Sequence, residues 1–285
     1  MSAALDRALV RRIVALALEE DLGDRGDITS DSVLAPRTRA RGSIVARGPL
    51  VVAGLPVARE VFASLDPGAS FVADREEGSR AARDDRLARV EGDARALLAG
   101  ERVALNFLMR MCGIASAARA AVQEVSGTGA IVLDTRKTAP GLRALDKYAV
   151  AVGGATNHRM GLYDAVLIKD THLAAAGAPL EDVVGRALAR GHAPSSVSVE
   201  VASEQELERA IRAGAGRALL DNMDLPTLRR CVALAGDRIV LEASGGLRPG
   251  GLRAVAETGV RYLSIGWLTH SAPSADLALD LEAVI

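Results

Sequence analysis

The chain has 285 residues, 49% hydrophobic but only 2% aromatic, with 35 Lys and Arg against 36 Asp and Glu for a formal net charge of -1. Such a length fits one large α/β domain or a small domain joined to a barrel, with Ala, Val and Leu filling the core. The neutral balance argues against non-specific nucleic-acid binding, where a basic domain is expected, and no apolar run reaches the ~20 residues of a membrane span.

Leu5, Leu9, Ile13, Leu16 and Leu18 predict a first helix ending near Leu22-Gly23. Charged residues from Asp6 to Glu20 alternate with these leucines, so the N-terminus reads as an amphipathic helix and not as a signal peptide. Asp24–Ser30 is turn chemistry throughout. Strands are expected at Ser43–Ala46, Leu50–Ala53, Ser70–Ala73 and Arg86–Val90, with a helix at Val57–Leu65, together a small α+β unit. From Asp93 a long helical pattern begins, interrupted at Gly113, with Met109 and Met111 as core filler. The domain boundary is placed there, giving residues 1–113 and 114–285.

Beyond it the chain is regular. Strands are expected at Ala130–Leu133, Ala165–Ile168, Val197–Val201, Ala218–Leu220, Ile239–Leu241 and Tyr262–Ile265. Helices are expected at Leu142–Val152, Leu180–Ala189, Glu204–Ala213, Leu225–Ala235 and Leu252–Thr258. Ser203 and Glu206 have the spacing of a capping box. Repeated strand–helix units predict a parallel sheet closed or nearly closed into a barrel. Cys112 and Cys231 show no zinc or redox spacing. Two buried free thiols in a reducing cytoplasm are expected, with a disulfide as the alternative.

Polar residues recur in register at the strand ends: Asp134-Thr135-Arg136-Lys137, Lys169-Asp170, Glu200, Asp221, Glu242 to Gly246, and Gly266. In a (β/α) barrel that end is the active-site face, so these residues are expected to converge on one mouth. Arg136, Lys137, His158, Arg159 and Lys169 form a cationic set suited to carboxylate or phosphate. The competing view is a solvated surface salt-bridged to Asp134, Asp146 and Asp170; Arg143 and Lys147, on a helix face, are assigned to it. Glu200 and Asp221 fit either Mg²⁺, which is bound by one or two carboxylates plus substrate phosphates, or sugar hydroxyls, or else pairing with the cations. Ser244-Gly245-Gly246 and Gly266 are placed for a phosphate site built from backbone amides, with His270 as a contact or a helix-start residue. Lys169 as a Schiff-base nucleophile is the alternative chemistry.

Several ordered motifs give these residues a family likeness. They are Glu20-Asp21-Leu22-Gly23 with Gly26-Asp27-Ile28-Thr29, Glu101 to Leu108, Asp134-Thr135-Arg136-Lys137-Thr138, Asn157-His158-Arg159, Leu167-Ile168-Lys169-Asp170, Leu220-Asp221-Asn222, and Gly266 with Leu268 to Ser271. Over nearly its whole length the chain resembles the quinolinate phosphoribosyltransferases (nicotinate-nucleotide pyrophosphorylases, carboxylating).

The resemblance implies an N-terminal α/β sandwich and a C-terminal incomplete (β/α) TIM-like barrel, with a last helix that packs back on the N-terminal domain. It also implies a homodimer or higher oligomer with Mg²⁺ as cofactor, while the cytoplasmic location is expected from the amphipathic N-terminus and the lack of a membrane-length apolar run. Arg102 would reach quinolinate in the neighbouring subunit. Thr135 belongs to the substrate-binding motif, and Arg136, His158 and Arg159 would hold the two substrate carboxylates. Lys137 and Lys169 would contact phosphoribosyl diphosphate, Glu200 and Asp221 its ribose and Mg²⁺, and Ser244, Gly245, Gly246 and Gly266 a phosphate, with His270 nearby. Lys137, Lys169, Glu200 and Asp221 are the expected catalytic set. Ala155, Thr171, Ser198, Cys112, Ala139, Ala243 and Trp267 depart from the family pattern, as does the stretch Gly78–Leu87. They keep open a related heterocyclic acid as acceptor, and a non-catalytic ligand-binding protein is the remaining alternative.

Overall fold

A computed structural model describes residues 5–283. They form two compact units, one running to Arg119 and including Ala139–Gly154 and the segment from Ala272, the other made of Ala120–Thr138 and Ala155–Ser271.

In the first unit, helix α1 (Arg7–Leu22) starts where Asp6 accepts the Ala8 amide at 2.8 Å and ends at Gly23. The expected turn beyond it is helical from Ile28. Asp27 accepts the Thr29 and Ser30 amides, each at 3.1 Å, and so caps α2 (Ile28–Val33). Strands β1 (Arg39–Ala46) and β2 (Leu50–Val51) precede α3 (Leu55–Leu65), and β3 (Ser70–Ala73), β4 (Arg80–Ala81) and β5 (Arg86–Asp93) follow it.

Helix α4 (Ala94–Glu124) runs through Gly113 without a break. The expected interruption is corrected by packing: a Cβ at Gly113 would lie 2.1 Å from the Pro273 carbonyl oxygen, so the glycine serves close approach and not chain reversal. Asp146, on α5 (Arg143–Val152), binds Arg110 of α4 through two contacts of 2.8 and 2.7 Å. Lys147, expected on a solvated helix face, is instead fully buried beside it.

The second unit carries β6 (Ile131–Leu133), β7 (Val166–Ile168), α6 (Asp170–Ala176), α7 (Leu180–Ala189), β8 (Val197–Val201), α8 (Glu204–Arg212), β9 (Arg217–Asp221), α9 (Leu225–Ala235), β10 (Val240–Ser244), α10 (Leu252–Ala256), β11 (Tyr262–Ser264) and α11 (Trp267–His270). Its six strands pair in the order β6-β11-β10-β9-β8-β7, and every pair is parallel. No pairing joins β6 to β7 among the described residues, so the sheet is an unclosed barrel. Leu133 of β6 instead bridges in parallel to Thr156. At the start of α8, Ser203 accepts the Glu206 amide at 3.2 Å, while the Glu206 carboxylate takes the Ala202 amide at 2.7 Å, one residue before the expected box partner.

The chain returns to the first unit as a strand, β12 (Leu277–Ala283), where a last helix was expected. Leu277 and Leu279 are buried and alternate with Ala278 and Asp280, the period of a strand with one covered face. β12 pairs antiparallel with β1 and closes one edge of the sheet β12-β1-β5-β3.

Candidate active site

Inward-facing residues alternate along the parallel strands of the second unit, and their last members define a cavity of about 920 Å³. Thr135, Arg136, Lys137, His158, Arg159, Lys169, Glu200, Asp221, Ser244, Gly245, Gly246, Gly266 and His270 all line it. Every site residue expected from the sequence is therefore gathered in one cavity except Arg102. That arginine is exposed on α4 of the first unit, in a cavity of that unit with Leu16, Asn106 and Leu142.

One wall is cationic. After β6 the chain turns, with the Lys137 amide donating to Thr135 Oγ1 at 3.0 Å and the Thr138 amide to the Arg136 carbonyl at 2.9 Å. Thr269 fixes the same turn from α11 by donating to the Lys137 carbonyl at 2.8 Å. Arg159 donates from Nη1 to the Ala165 carbonyl at 2.8 Å. Burial lowers the pKa of its guanidinium and the charge of Arg136 lowers it further, whereas Asp164 raises it.

The opposite wall is mixed. Lys169 Nζ lies 3.2 Å from Glu200 Oε2, an ammonium–carboxylate pair. The His172 ring Nδ1 accepts the Lys169 amide at 3.0 Å and so holds the lysine backbone at the head of α6. Asp221 accepts a hydrogen bond from Asn222 Nδ2 at 2.7 Å, and Asn222, in the left-handed region at φ 52°, donates its amide to the Ser244 carbonyl at 2.9 Å. Gly245 has φ 96°, and a Cβ there would lie 2.2 Å from Asn222 Oδ1, so only glycine fits beside the residue that steadies Asp221. Glu124 accepts the amides of Gly250 and Leu252 at 2.9 and 2.6 Å, anchoring the far side of the glycine-rich loop. Lys137 passes over Gly266, where a Cβ would lie 2.9 Å from its Cδ.

The patterns of two family domains match the chain: the Quinolinate phosphoribosyl transferase N-terminal domain at residues 27–112 and the C-terminal domain at residues 114–280. The chain belongs to the quinolinate phosphoribosyltransferase family. A relative named probable nicotinate-nucleotide pyrophosphorylase [carboxylating], from Bacillus subtilis (strain 168), is 41% identical over 262 residues, covering 92% of this chain and 90% of that protein. A chloroplastic one from Oryza sativa subsp. japonica is 36% identical, covering 96% and 78%. Among solved structures, NadC from Streptococcus pyogenes has a TM-score of 0.92 at 35% identity over the whole of both chains. Nicotinate-nucleotide pyrophosphorylase from Ehrlichia chaffeensis has a TM-score of 0.91 at 37% identity, covering 98% and 100%.

As a member of the quinolinate phosphoribosyltransferase family, the chain also shows what the sequence reading left without a role. Glu242, Ser264, Asn222, Arg248 and Trp267 share the cavity. Glu242 was recognisable as a strand-end acid, and its signal was sharper than that. It is the sole charge in Val240-Leu241-Glu242-Ala243, two residues before Ser244 on the same inward face. Both ring nitrogens of His158 have protein partners: Nδ1 accepts the Arg159 amide at 2.7 Å, and Nε2 lies 3.2 Å from Glu242. No cluster of three His, Cys, Asp or Glu able to hold a metal occurs among the described residues. Two carboxylates, Glu200 and Asp221, would suit an ion that keeps most of its ligands on water or bound phosphate, and not a cage built by protein.

No helix among the described residues is long and apolar enough to cross a membrane. Cys112 and Cys231 are free and buried. The Cys112 thiol sits against the Ala53 amide and carbonyl, and burial pushes its pKa up to about 12, which removes it from any nucleophilic role.

Proposed function

We propose that this protein transfers phosphoribosyl from 5-phosphoribosyl 1-diphosphate to quinolinate with loss of CO₂, giving nicotinate mononucleotide and diphosphate in de novo NAD biosynthesis. The observation that carries this reading is the gathering of Arg136, Lys137, Arg159 and Lys169 with Glu200 and Asp221 around one cavity, where burial and the charge of Arg136 lower the pKa of the Arg159 guanidinium. The names of the B. subtilis and rice relatives support it.

In this reading Arg136 and Arg159 hold the acceptor's carboxylates and orient its ring nitrogen, so the bimolecular step becomes one of position. Lys137, Lys169 and the Ser244-Gly245-Gly246 and Gly266 loops take the phosphates. The pyridine nitrogen donates its electron pair to the anomeric carbon as the carbon–oxygen bond to diphosphate breaks and that pair leaves with the diphosphate. Glu200 and Asp221 stabilise the cationic sugar between these events. Glu200 and Asp221 would hold Mg²⁺ here, and the bound ion would supply positive charge to stabilise the leaving group. The carboxylate beside the nitrogen then departs as CO₂, its bonding pair is stabilised by the pyridinium, and the ring carbon takes a proton.

Arg102, exposed on α4, is suited to donation into a second subunit's cavity, so we place the protein as a homodimer or larger homo-oligomer. Two buried unpaired thiols agree with a cytoplasmic setting. The test is an assay of quinolinate-dependent diphosphate and CO₂ release with Mg²⁺. Stoichiometric release of both supports the reading, and release of neither refutes it. Trp267 on the cavity wall favours one further possibility, a related heterocyclic acid as acceptor. Labelled phosphoribosyl diphosphate offered with a panel of such acids separates the two.

A further inference from the structure

The floor of the cavity holds a buried polar relay that the proposed chemistry leaves unused. Glu242 has a side chain 1% exposed, and its two oxygens face three donors. Arg217 Nη1 lies 3.1 Å from Oε2, His158 Nε2 lies 3.2 Å from Oε1, and Ser264 donates its hydroxyl to Oε1. Burial raises the pKa of this carboxyl, but the hydrogen bonds from His158 and Ser264 and the charge of Arg217 lower it. The Arg217 guanidinium is itself held, stacked 4.3 Å over the Tyr262 ring.

The hydrogen bonds around the His158 ring constrain where its proton can sit. The Arg159 backbone N–H donates to Nδ1 at 2.7 Å, so Nδ1 must offer a lone pair. The ring proton then belongs on Nε2, pointing at the Glu242 carboxylate. An imidazolium would need a second proton on Nδ1, which the amide already occupies. The His158 amide in turn donates to Asp134 Oδ1 at 2.7 Å, so ring and backbone are fixed at three points.

We propose that Glu242 is a positioning residue which holds His158 as the neutral Nε2–H tautomer, so that His158 Nδ1 fixes the Arg159 backbone and with it the guanidinium that takes the acceptor's carboxylate. The acceptor half of this statement rests on the function proposed above; the tautomer half does not.

Two measurements test it. In wild-type protein with ¹⁵N-labelled histidine, His158 assigned by its loss in His158→Gln should show at neutral pH a protonated Nε2 and an unprotonated Nδ1. An imidazolium or an Nδ1–H tautomer overturns the proposal, whatever the protein's activity. Calorimetric binding is then compared for wild type, Glu242→Gln, which keeps an acceptor for Nε2–H, and Glu242→Ala, which does not. Quinolinate affinity should fall at least tenfold in Glu242→Ala and less in Glu242→Gln, with phosphoribosyl diphosphate affinity within threefold in both. Equal losses for both ligands, or no loss for either, mean that Glu242 is structural only and overturn the positioning role. A wild-type protein that binds no quinolinate refutes the proposed function, and the ¹⁵N spectrum still decides the tautomer.

Discussion

Replacing Arg159 with Met separates binding from folding on a single side chain. Among the described residues the guanidinium makes one hydrogen bond, to the Ala165 carbonyl at 2.8 Å, and it lines the cavity within reach of the charges of Arg136 and Asp164. Losing that bond costs about 1 kcal/mol. Removing a charge disfavoured by burial and by Arg136 offsets it, so the ligand-free variant should melt within about 3 °C of wild type. Truncating one partner of a desolvated charge pair costs about 2–5 kcal/mol in binding, or roughly thirty- to several-thousand-fold at 1.4 kcal/mol per decade. Calorimetry should show that loss for quinolinate and less than a threefold change for phosphoribosyl diphosphate. The substitution keeps the Arg159 amide, so the His158 ¹⁵N signals should not move. A variant that binds quinolinate within threefold of wild type would refute the assignment of this wall to the acceptor.

Three further outcomes follow from the packing and electrostatics. Gly113→Ala gains about 1 kcal/mol of helix propensity, but its Cβ would meet the Pro273 carbonyl at 2.1 Å, a backbone contact that cannot rotate away. Overpacking costs about 1–3 kcal/mol, so the melting temperature should fall, and a rise would show that the Pro273 segment gives way freely. With its thiol pushed up to about 12, Cys112 should resist alkylation of the native protein at pH 8 and react once unfolded, as read by mass spectrometry; rapid native labelling contradicts the burial. Hydrogen bonding by Arg209 at 2.8 and 2.9 Å draws the Glu181 carboxyl from 4.5 to about 2. A lowered folded value contributes stability that is present above 4.5 and lost as pH falls toward 2. The melting-temperature gap between wild type and Glu181→Gln should therefore be positive at pH 6 and shrink below pH 4. A gap that is constant with pH argues against the pair.

Periodicity and strand-end chemistry were enough to place the six barrel strands and to single out Arg136, Lys137, Lys169, Glu200 and Asp221. Both signals are local: a strand shows its period within five residues, and a charge that follows an apolar run has few places to go. The Leu277–Leu279 alternation was equally local, but a single returning strand gains its meaning only from β1, more than two hundred positions earlier, and the expectation of a helix failed there. Gly113 looked like a break because glycine is a weak helix former; the Pro273 carbonyl pressed against it is invisible from sequence. Lys147 looked solvated because lysine usually is.

The sequence by itself determined the order of the six barrel strands and of the main helices between them, the balance of charge, and the residue types available to a strand-end site, since each follows from short-range pattern. Tertiary structure alone decided which charges oppose each other. The charge of Arg136 acting on Arg159, Lys169 against Glu200, and Glu242 gripped by His158, Ser264 and Arg217 are interactions between residues on different turns and strands. Their energies depend on distances of a few ångströms and on exclusion of water, quantities that exist only once the chain has closed around them.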